Sequence, residues 1–233
     1  MREALIIIHG WTKEGSNSFI KIAELLKDDF DIYLIDLPGF KKQIEKPYDF
    51  NDYLKYLESE IKIEKFYLLG HSFGGALAML YTLKYPEKIK KLILYNPAIF
   101  REKNIKIKIS FFLSKIFKFL IKIFPEKIIH FLKKAYYKFI IKSYDYFLAD
   151  EKMKITFKNV NQDLREKAKE IKVKTVILWG EKDKITPFKN AWLLKKLIQN
   201  SILITLPGGH SFHKEKPEEF AKILKEAIKN KGI

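Results

Sequence analysis

The chain contains no cysteine. That removes disulfides, thiolate nucleophiles and cysteine-ligated metals from the chemistry open to it. It also lacks any run of about 18 uncharged apolar residues, so no membrane-spanning helix is indicated. The opening Met1-Arg2-Glu3-Ala4-Leu5-Ile6-Ile7-Ile8 is too short an apolar run for a secretory signal and leads straight into a glycine turn. A cytoplasmic location is therefore the default expectation. Acidic residues are few, with 28 Asp and Glu against 45 Lys and Arg, a formal net charge of +17. Such an excess can serve nucleic acid, anionic lipid or acidic substrates. It can equally be compositional bias in a Lys-, Ile- and Phe-rich chain whose lysines simply solvate the surface. No nucleic-acid recognition module is visible, so no nucleic-acid partner is expected.

Histidine is also sparse, five residues scattered along the chain. His210-x-x-His213 lacks a flanking acidic pair on a clear helix face, so no metal is expected. A dinucleotide fingerprint is missing, and the glycines at 70–75 are not followed by the Lys-Ser/Thr of a phosphate loop. No cofactor is expected.

What is present suffices for one large α/β domain with an insertion. The 233 residues can bury a substantial core, and a 47% hydrophobic content excludes a disordered chain. Short β-type runs rich in Ile, Leu, Val and Tyr alternate with longer helical patterns, as in a parallel sheet covered on both faces. The strand candidates are Ala4–Ile8, Ile32–Ile35, Phe66–Leu69, Lys91–Tyr95, Thr175–Leu178 and Ile202–Thr205. Helical stretches fall near Ser18–Lys27, Phe50–Ile61, Gly74–Tyr85, Phe188–Gln199 and Pro217–Lys229. Right-handed crossovers put the C-terminal ends of all six strands on one rim, where ligands of open α/β sheets bind.

Four of the six strand ends on that rim carry a reactive or glycine-rich loop. Gly70-His71-Ser72-Phe73-Gly74 lies between the third strand and a helix, which presents the Ser72 hydroxyl above the sheet edge on a sharp turn. His9-Gly10-Trp11 ends the first strand; a glycine there frees the following N–H, which with the N–H of Phe73 makes an oxyanion hole. Gly180-Glu181-Lys182-Asp183 and Pro207-Gly208-Gly209-His210 end the fifth and sixth strands. A serine hydroxyl needs a base to take its proton, and an imidazole base needs a carboxylate to fix its tautomer. Asp183 and His210 complete the chain order Ser…Asp…His. Competitors stand beside them: His213 for the base and Glu181 for the acid. Ser211 and His71 read as packing or hydrogen-bonding neighbours, His9 as a hydrogen-bonded structural histidine, and Asp36 as a support for its loop.

On these loops, together with Asp36-Leu37-Pro38-Gly39-Phe40 and the Glu215, Pro217 and Phe220 that follow His210, the sequence resembles an α/β-hydrolase over nearly the whole chain outside the insertion. The resemblance implies an α/β-hydrolase fold with Ser72 as nucleophile, His210 as general base, Asp183 as orienting acid and the N–H groups of Trp11 and Phe73 as oxyanion donors. It implies a serine hydrolase acting on a small-molecule carboxylic ester or thioester, with C–C bond hydrolysis or acyl transfer as nearby alternatives and a non-catalytic, membrane-surface binding protein as a distant one. It enters at what is the family's third strand, so a six-stranded, mostly parallel sheet is expected. Lys41-Lys42-Gln43 replace the glycine and serine that commonly follow the Asp-Leu-Pro-Gly-Phe segment. An aspartate nucleophile, as in dehalogenase-type members, is excluded by Ser72.

The regular alternation stops after Asn96-Pro97-Ala98. Residues 1–99 and 171–233 are read as the core, and 100–170 as a helical lid leaving the fourth strand over the rim. Residues 101–150 hold 12 Lys and Arg against 4 Asp and Glu. Lys115, Lys118 and Lys122, and then Lys134, Lys138 and Lys142, form basic stripes opposite Phe- and Ile-rich faces, with Pro125 between two helices. One reading is a cap that packs its apolar side and solvates its lysines. The other is an acyl-binding cap that also makes weak contact with an anionic membrane surface.

Overall fold

A computed structural model describes residues 2–101 and 150–230. The lid helices expected around Phe111–Ile140, their lysine stripes and Pro125 lie outside the described residues. Within them, six strands form one sheet: β1 (Glu3–Ile8), β2 (Phe30–Ile35), β3 (Phe66–His71), β4 (Ile89–Tyr95), β5 (Thr175–Gly180) and β6 (Ser201–Leu206). The order is β2-β1-β3-β4-β5-β6 and every pairing is parallel. The chain builds outward from β1 in one direction and from β3 in the other. Their shared C-terminal edge is therefore the point where strand order reverses, the crevice in which open α/β sheets hold ligands.

Each strand alternates its apolar residues between two separate cores, as the two-residue period of a pleated strand dictates. Ile6, Ile8, Leu68, Leu92, Leu94, Ile177 and Trp179 pack on one face, under α2 (Phe50–Glu60), α3 (Phe73–Lys84) and α6 (Lys189–Leu197). Leu5, Ile7, Leu69, Ile93, Tyr95, Val176 and Leu178 pack on the other, under α1 (Ile20–Leu26) and α8 (Pro217–Lys229). Because both faces are covered, the strands read as continuous apolar runs rather than as alternating ones. In α8, Phe220, Ala221, Leu224, Ala227 and Ile228 form one buried stripe. Pro217 opens that helix where a missing N–H costs nothing, and Glu218 and Glu219 face its positive end. α2 starts from a reciprocal capping box between Asp49 and Asp52.

Among the described residues the expected strands and the helices that flank them are present, with bounds that move by a few residues. The stretch near Ser18–Lys27 divides into a 3₁₀ turn (Gly15–Phe19) and α1. β3 runs on through Gly70 and His71, so the strand delivers the chain directly into the turn at Ser72. The described part of 100–170 is helical, with α4 (Glu151–Val160) and α5 (Arg165–Ala168); α7 (Phe212–Glu215) is a single turn after β6. No helix among the described residues is long and apolar enough to cross a membrane.

Two glycines let the third strand and its helix close on the first strand. A β-carbon on Gly74 meets the carbonyl oxygens of Ile8 and His9, and one on Gly70 meets the Gly74 carbonyl and, at 2.6 Å, the Ala78 methyl. Backbone cannot retreat as a flexible side chain can. Gly74→Ala is therefore expected to lower stability by about 1–3 kcal/mol, read as a lowered urea midpoint, the usual cost of overpacking a close contact.

Candidate active site

The site is assembled from strand ends. Ser72 follows β3 with φ 53° and ψ −116°, a left-handed conformation that L-residues avoid and that costs of order 1–3 kcal/mol. Its backbone is fixed at both groups. The Ser72 N–H donates to the Tyr95 carbonyl at 3.0 Å, and the Ser72 carbonyl accepts from Gly75, Ala76 and Ala98 at 3.0, 3.3 and 2.9 Å. The side chain is then carried to the head of α3, whose first N–H groups, Phe73 among them, have no partner within the helix. Gly10, at the end of β1, approaches from the other side: a β-carbon there is 3.0 Å from Ser72 Cβ and 3.1 Å from His71 Nδ1.

Asp183 and His210 meet across the ends of β5 and β6. His210 Nδ1 lies 2.7 Å from Asp183 Oδ2, with the Asp183 side chain fully buried and His210 12% exposed. Asp183 Oδ1 also accepts the N–H groups of Ile185 and Thr186 at 2.7 and 2.9 Å, and Oδ2 accepts the Thr186 hydroxyl at 2.7 Å. Four donors hold the carboxylate in one orientation. An ionised carboxylate only accepts, so His210 Nδ1 carries the proton and Nε2 is left with a lone pair. Glu181, by contrast, is exposed, and the carboxylate beside the imidazole is that of Asp183.

Two residues that the sequence reading passed over hold this pair in place. Asn96, after β4, has φ 43°. Its Oδ1 accepts from the Gly180 N–H at 2.8 Å while its Nδ2 donates to the His210 carbonyl at 2.9 Å. One side chain thus ties the ends of β4, β5 and β6 together. Thr186 contacts Asp183 and also lies 3.3 Å from His210 Nδ1 and 3.2 Å from the Asn96 carbonyl. The signal for Asn96 was available, since Asn tolerates a left-handed backbone better than other side-chain-bearing residues. Thr186 carried no local signal, because its role comes from packing between loops.

The remaining histidines divide cleanly. His9 is buried; its Nδ1–H donates to the Gly10 carbonyl at 2.7 Å and its Nε2 accepts from the Leu37 N–H at 3.0 Å. That fixes the β1 loop to the β2 loop, the structural role expected of it. His71 stacks on Tyr95, with ring centroids 4.5 Å apart, and its Nε2–H donates to the His210 carbonyl at 2.9 Å. His213 stacks on Phe19 at 4.2 Å and touches the Tyr95 hydroxyl, and among the described residues it is His210 that pairs with a carboxylate. Asp36 supports its loop, as expected, accepting the Ser16 N–H at 2.8 Å and Lys41 Nζ at 2.7 Å. Lys41 further reaches Ser16 and Asn17, so the unusual Lys41 anchors the loop.

A cavity of about 700 Å³ opens at this rim, lined by Gly10, Trp11, Ser72, Phe73, His210 and Phe157 among others. Trp11 meets Phe40, Phe73 and Phe157 edge-on at 5.0, 5.5 and 5.1 Å, forming an aromatic wall. Among the described residues no cluster of three or more His, Cys, Asp or Glu is arranged to hold a metal.

A family model described as the alpha/beta hydrolase fold matches residues 3–217. A pimeloyl-[acyl-carrier protein] methyl ester esterase from Wigglesworthia glossinidia brevipalpis is 32% identical, over 97% of this chain and 93% of that protein. A 2-hydroxy-6-oxononadienedioate/2-hydroxy-6-oxononatrienedioate hydrolase from Comamonas testosteroni is 26% identical, over 98% and 88%. Among solved structures, an esterase from Exiguobacterium antarcticum superposes with a TM-score of 0.73 at 22% identity, covering 98% of this chain and 92% of that one.

Burial holds three imidazoles in the neutral form. It lowers the pKa of His9 and drives that of His71 well below the ordinary 6.5, with the neighbouring His210 and His213 acting in the same direction. It brings His213 down to about 3, with Lys214 adding to the effect. The unfolded chain protonates these groups below about 6.5 while the folded chain does not, so stability is full above that pH and falls as pH drops below it. Each such histidine contributes a slope of up to about 1.4 kcal/mol per pH unit. Urea unfolding at pH 7, 6 and 5 is expected to give a falling midpoint, and His213→Phe is expected to make that fall shallower.

Proposed function

The chain belongs to the alpha/beta hydrolase family, and on that premise we propose that it is a serine hydrolase that cleaves a carboxylic ester or thioester through an acyl-Ser72 intermediate. The observation that carries the reading is the 2.7 Å contact between His210 Nδ1 and the fully buried Asp183, on the same cavity wall as a serine held in a left-handed turn. In this reading His210 Nε2 takes the Ser72 hydroxyl proton as Oγ attacks the substrate carbonyl carbon. The N–H groups of Trp11 and Phe73 receive the developing oxyanion, each donor of this kind being worth about 3 kcal/mol in the transition state. His210 returns the proton to the departing alcohol or thiol. It then takes a proton from water, whose oxygen attacks the acyl carbon, and gives that proton back to Ser72 as the acid leaves.

The core is assigned to 1–99 and 171–233 and the cap to 100–170. Phe157 and Val160 support a substrate contact for the latter, because both stand in the cavity wall from α4. With Trp11 and Phe73 opposite, the wall favours a hydrophobic acyl or alkyl group.

Short- and medium-chain nitrophenyl esters test the reading directly. Wild type is expected to release nitrophenol and to be labelled by a fluorophosphonate at Ser72. Ser72→Ala is expected to lose the labelling and at least about 10⁴-fold in kcat, and Asp183→Asn roughly 10⁴-fold by presenting the wrong imidazole tautomer. Absence of both turnover and labelling in the wild type would remove the serine hydrolase reading. Turnover that persists in Ser72→Ala would move the nucleophile elsewhere.

A further inference from the structure

One cation in the cavity wall differs from all the lysines around it. Arg101 lines the cavity of Ser72 and His210. Its Nε is buried and has no hydrogen-bond partner, while its Nη1 donates to the Phe100 carbonyl at 3.1 Å. Asp163 is the nearby acid, yet its carboxylate is occupied. It takes two bonds from the Arg165 guanidinium at 2.8 and 2.7 Å, and from Arg101 it accepts only the backbone N–H, at 3.0 Å. Among the described residues the Arg101 guanidinium therefore has no ion-pair partner. A buried donor left unpaired is costly, and a guanidinium keeps its charge at neutral pH even where burial lowers its pKa, as it does here.

The backbone ties the segment that carries this charge to the serine turn. The Ala98 N–H donates to the Ser72 carbonyl at 2.9 Å, and the Ile99 carbonyl accepts from Leu164 at 2.9 Å. Three residues further on, the Arg101 Cα lies within about 11 Å of that of Ala98 even if the segment is fully extended. Among the described residues of its lining, Lys13, Lys184 and Lys214 stand with Arg101 against one acid, Glu14, which Lys214 already pairs at 2.7 Å.

We propose that Arg101 is a specificity residue that binds a carboxylate on the substrate, so that the preferred substrate is an ester or thioester carrying a second, free carboxylate. With Nη1 engaged by Phe100 and Nε buried, Nη2 is the guanidinium nitrogen that takes the carboxylate, as a charge-assisted hydrogen bond from a planar cation. The Trp11, Phe73 and Phe157 wall then holds the methylenes between the two ends. The inference rests on the serine hydrolase reading for its reaction and on the unpaired guanidinium for its ligand.

Two nitrophenyl esters with six-carbon acyl groups separate these parts: the hexanoate, and the adipate monoester, which ends in a carboxylate instead of a methyl. Wild type is expected to show the higher kcat/KM for the adipate ester. Arg101→Gln is expected to cut the adipate-to-hexanoate ratio roughly 10- to 100-fold, and Arg101→Lys to cut it less. Calorimetric titration with free adipate at low salt gives a readout independent of turnover, with binding by wild type that is weakened in Arg101→Gln. If Arg101→Gln does not fold, the wild-type ratio, Arg101→Lys and the titration still decide. A wild-type preference for the hexanoate, a ratio unmoved by either variant, or no adipate binding by wild type overturns the proposal. Inorganic phosphate binding more tightly than adipate overturns the choice of a carboxylate. Hydrolysis of neither ester and no fluorophosphonate labelling, alongside Arg101-dependent adipate binding, would reject the hydrolase reading and keep the carboxylate site.

Discussion

The backbone of Ser72 is the constraint on which the rest of the rim depends. A serine at φ 53° is unstable in isolation, and it persists because its N–H and carbonyl are bonded to three separate segments. The Tyr95 carbonyl fixes it to β4, the Ala98 N–H to the loop that leaves β4, and the Gly75 and Ala76 N–H groups to α3. The strained turn and the start of α3 are thus one feature. Gly70 and Gly74 allow that feature to seat against β1, and the Gly10 loop reaches Ser72 only because the seating is close.

A second layer of polar contacts does for His210 what the backbone does for Ser72. The imidazole is oriented by Asp183, but the loop that carries it is held through its carbonyl, which receives both Asn96 Nδ2 and His71 Nε2. Asn96 directly follows β4, and His71 is the last residue of β3, immediately before Ser72. The loops of the base and of the serine are therefore coupled through short polar bridges rather than through loop flexibility. Low-dielectric surroundings make these bridges stronger and a missing partner more expensive. They also explain why His71 and His9 are neutral: each must both donate and accept, or pack against rings, in a place where water cannot solvate an imidazolium.

Much of this was legible in the sequence because it rests on local chemistry. The strand and helix periods and the glycines around Ser72 are short-range patterns, and the six strands with their flanking helices lie where those patterns put them. The division of the lone histidines into supports was also readable, since His9 sits at a strand end with no acidic neighbour. What could not be read were contacts made across loops. Asn96 serves β4, β5 and β6 at once, and Thr186 reaches a carboxylate, an imidazole and a carbonyl. Nothing in their immediate sequence encodes those partners. The substitution of Lys41 into a loop usually closed by small residues also could not be interpreted from sequence. In the fold its ammonium reaches Asp36, Ser16 and Asn17, so its long side chain bridges two loops.

The same distinction governs the meaning of the +17 charge. A net charge is a sum over groups that are mostly exposed, and exposed charges beyond roughly 8 Å are screened at physiological salt. Many of the surface lysines here are already paired with Asp or Glu, as Lys214 is with Glu14 and Lys225 and Lys229 are with Asp29. Such pairs contribute little to stability and less to recognition. Recognition depends instead on where water has been removed and a partner withheld. A partly desolvated guanidinium that lines the same cavity as Ser72 and His210, beside an Asp163 already committed to Arg165, exerts a stronger and more directional pull than many solvated ammonium groups. The proposed chemistry rests on the strained serine and the buried acid beside His210, whereas the proposed choice of substrate rests on a cation that has no ion-pair partner among the described residues.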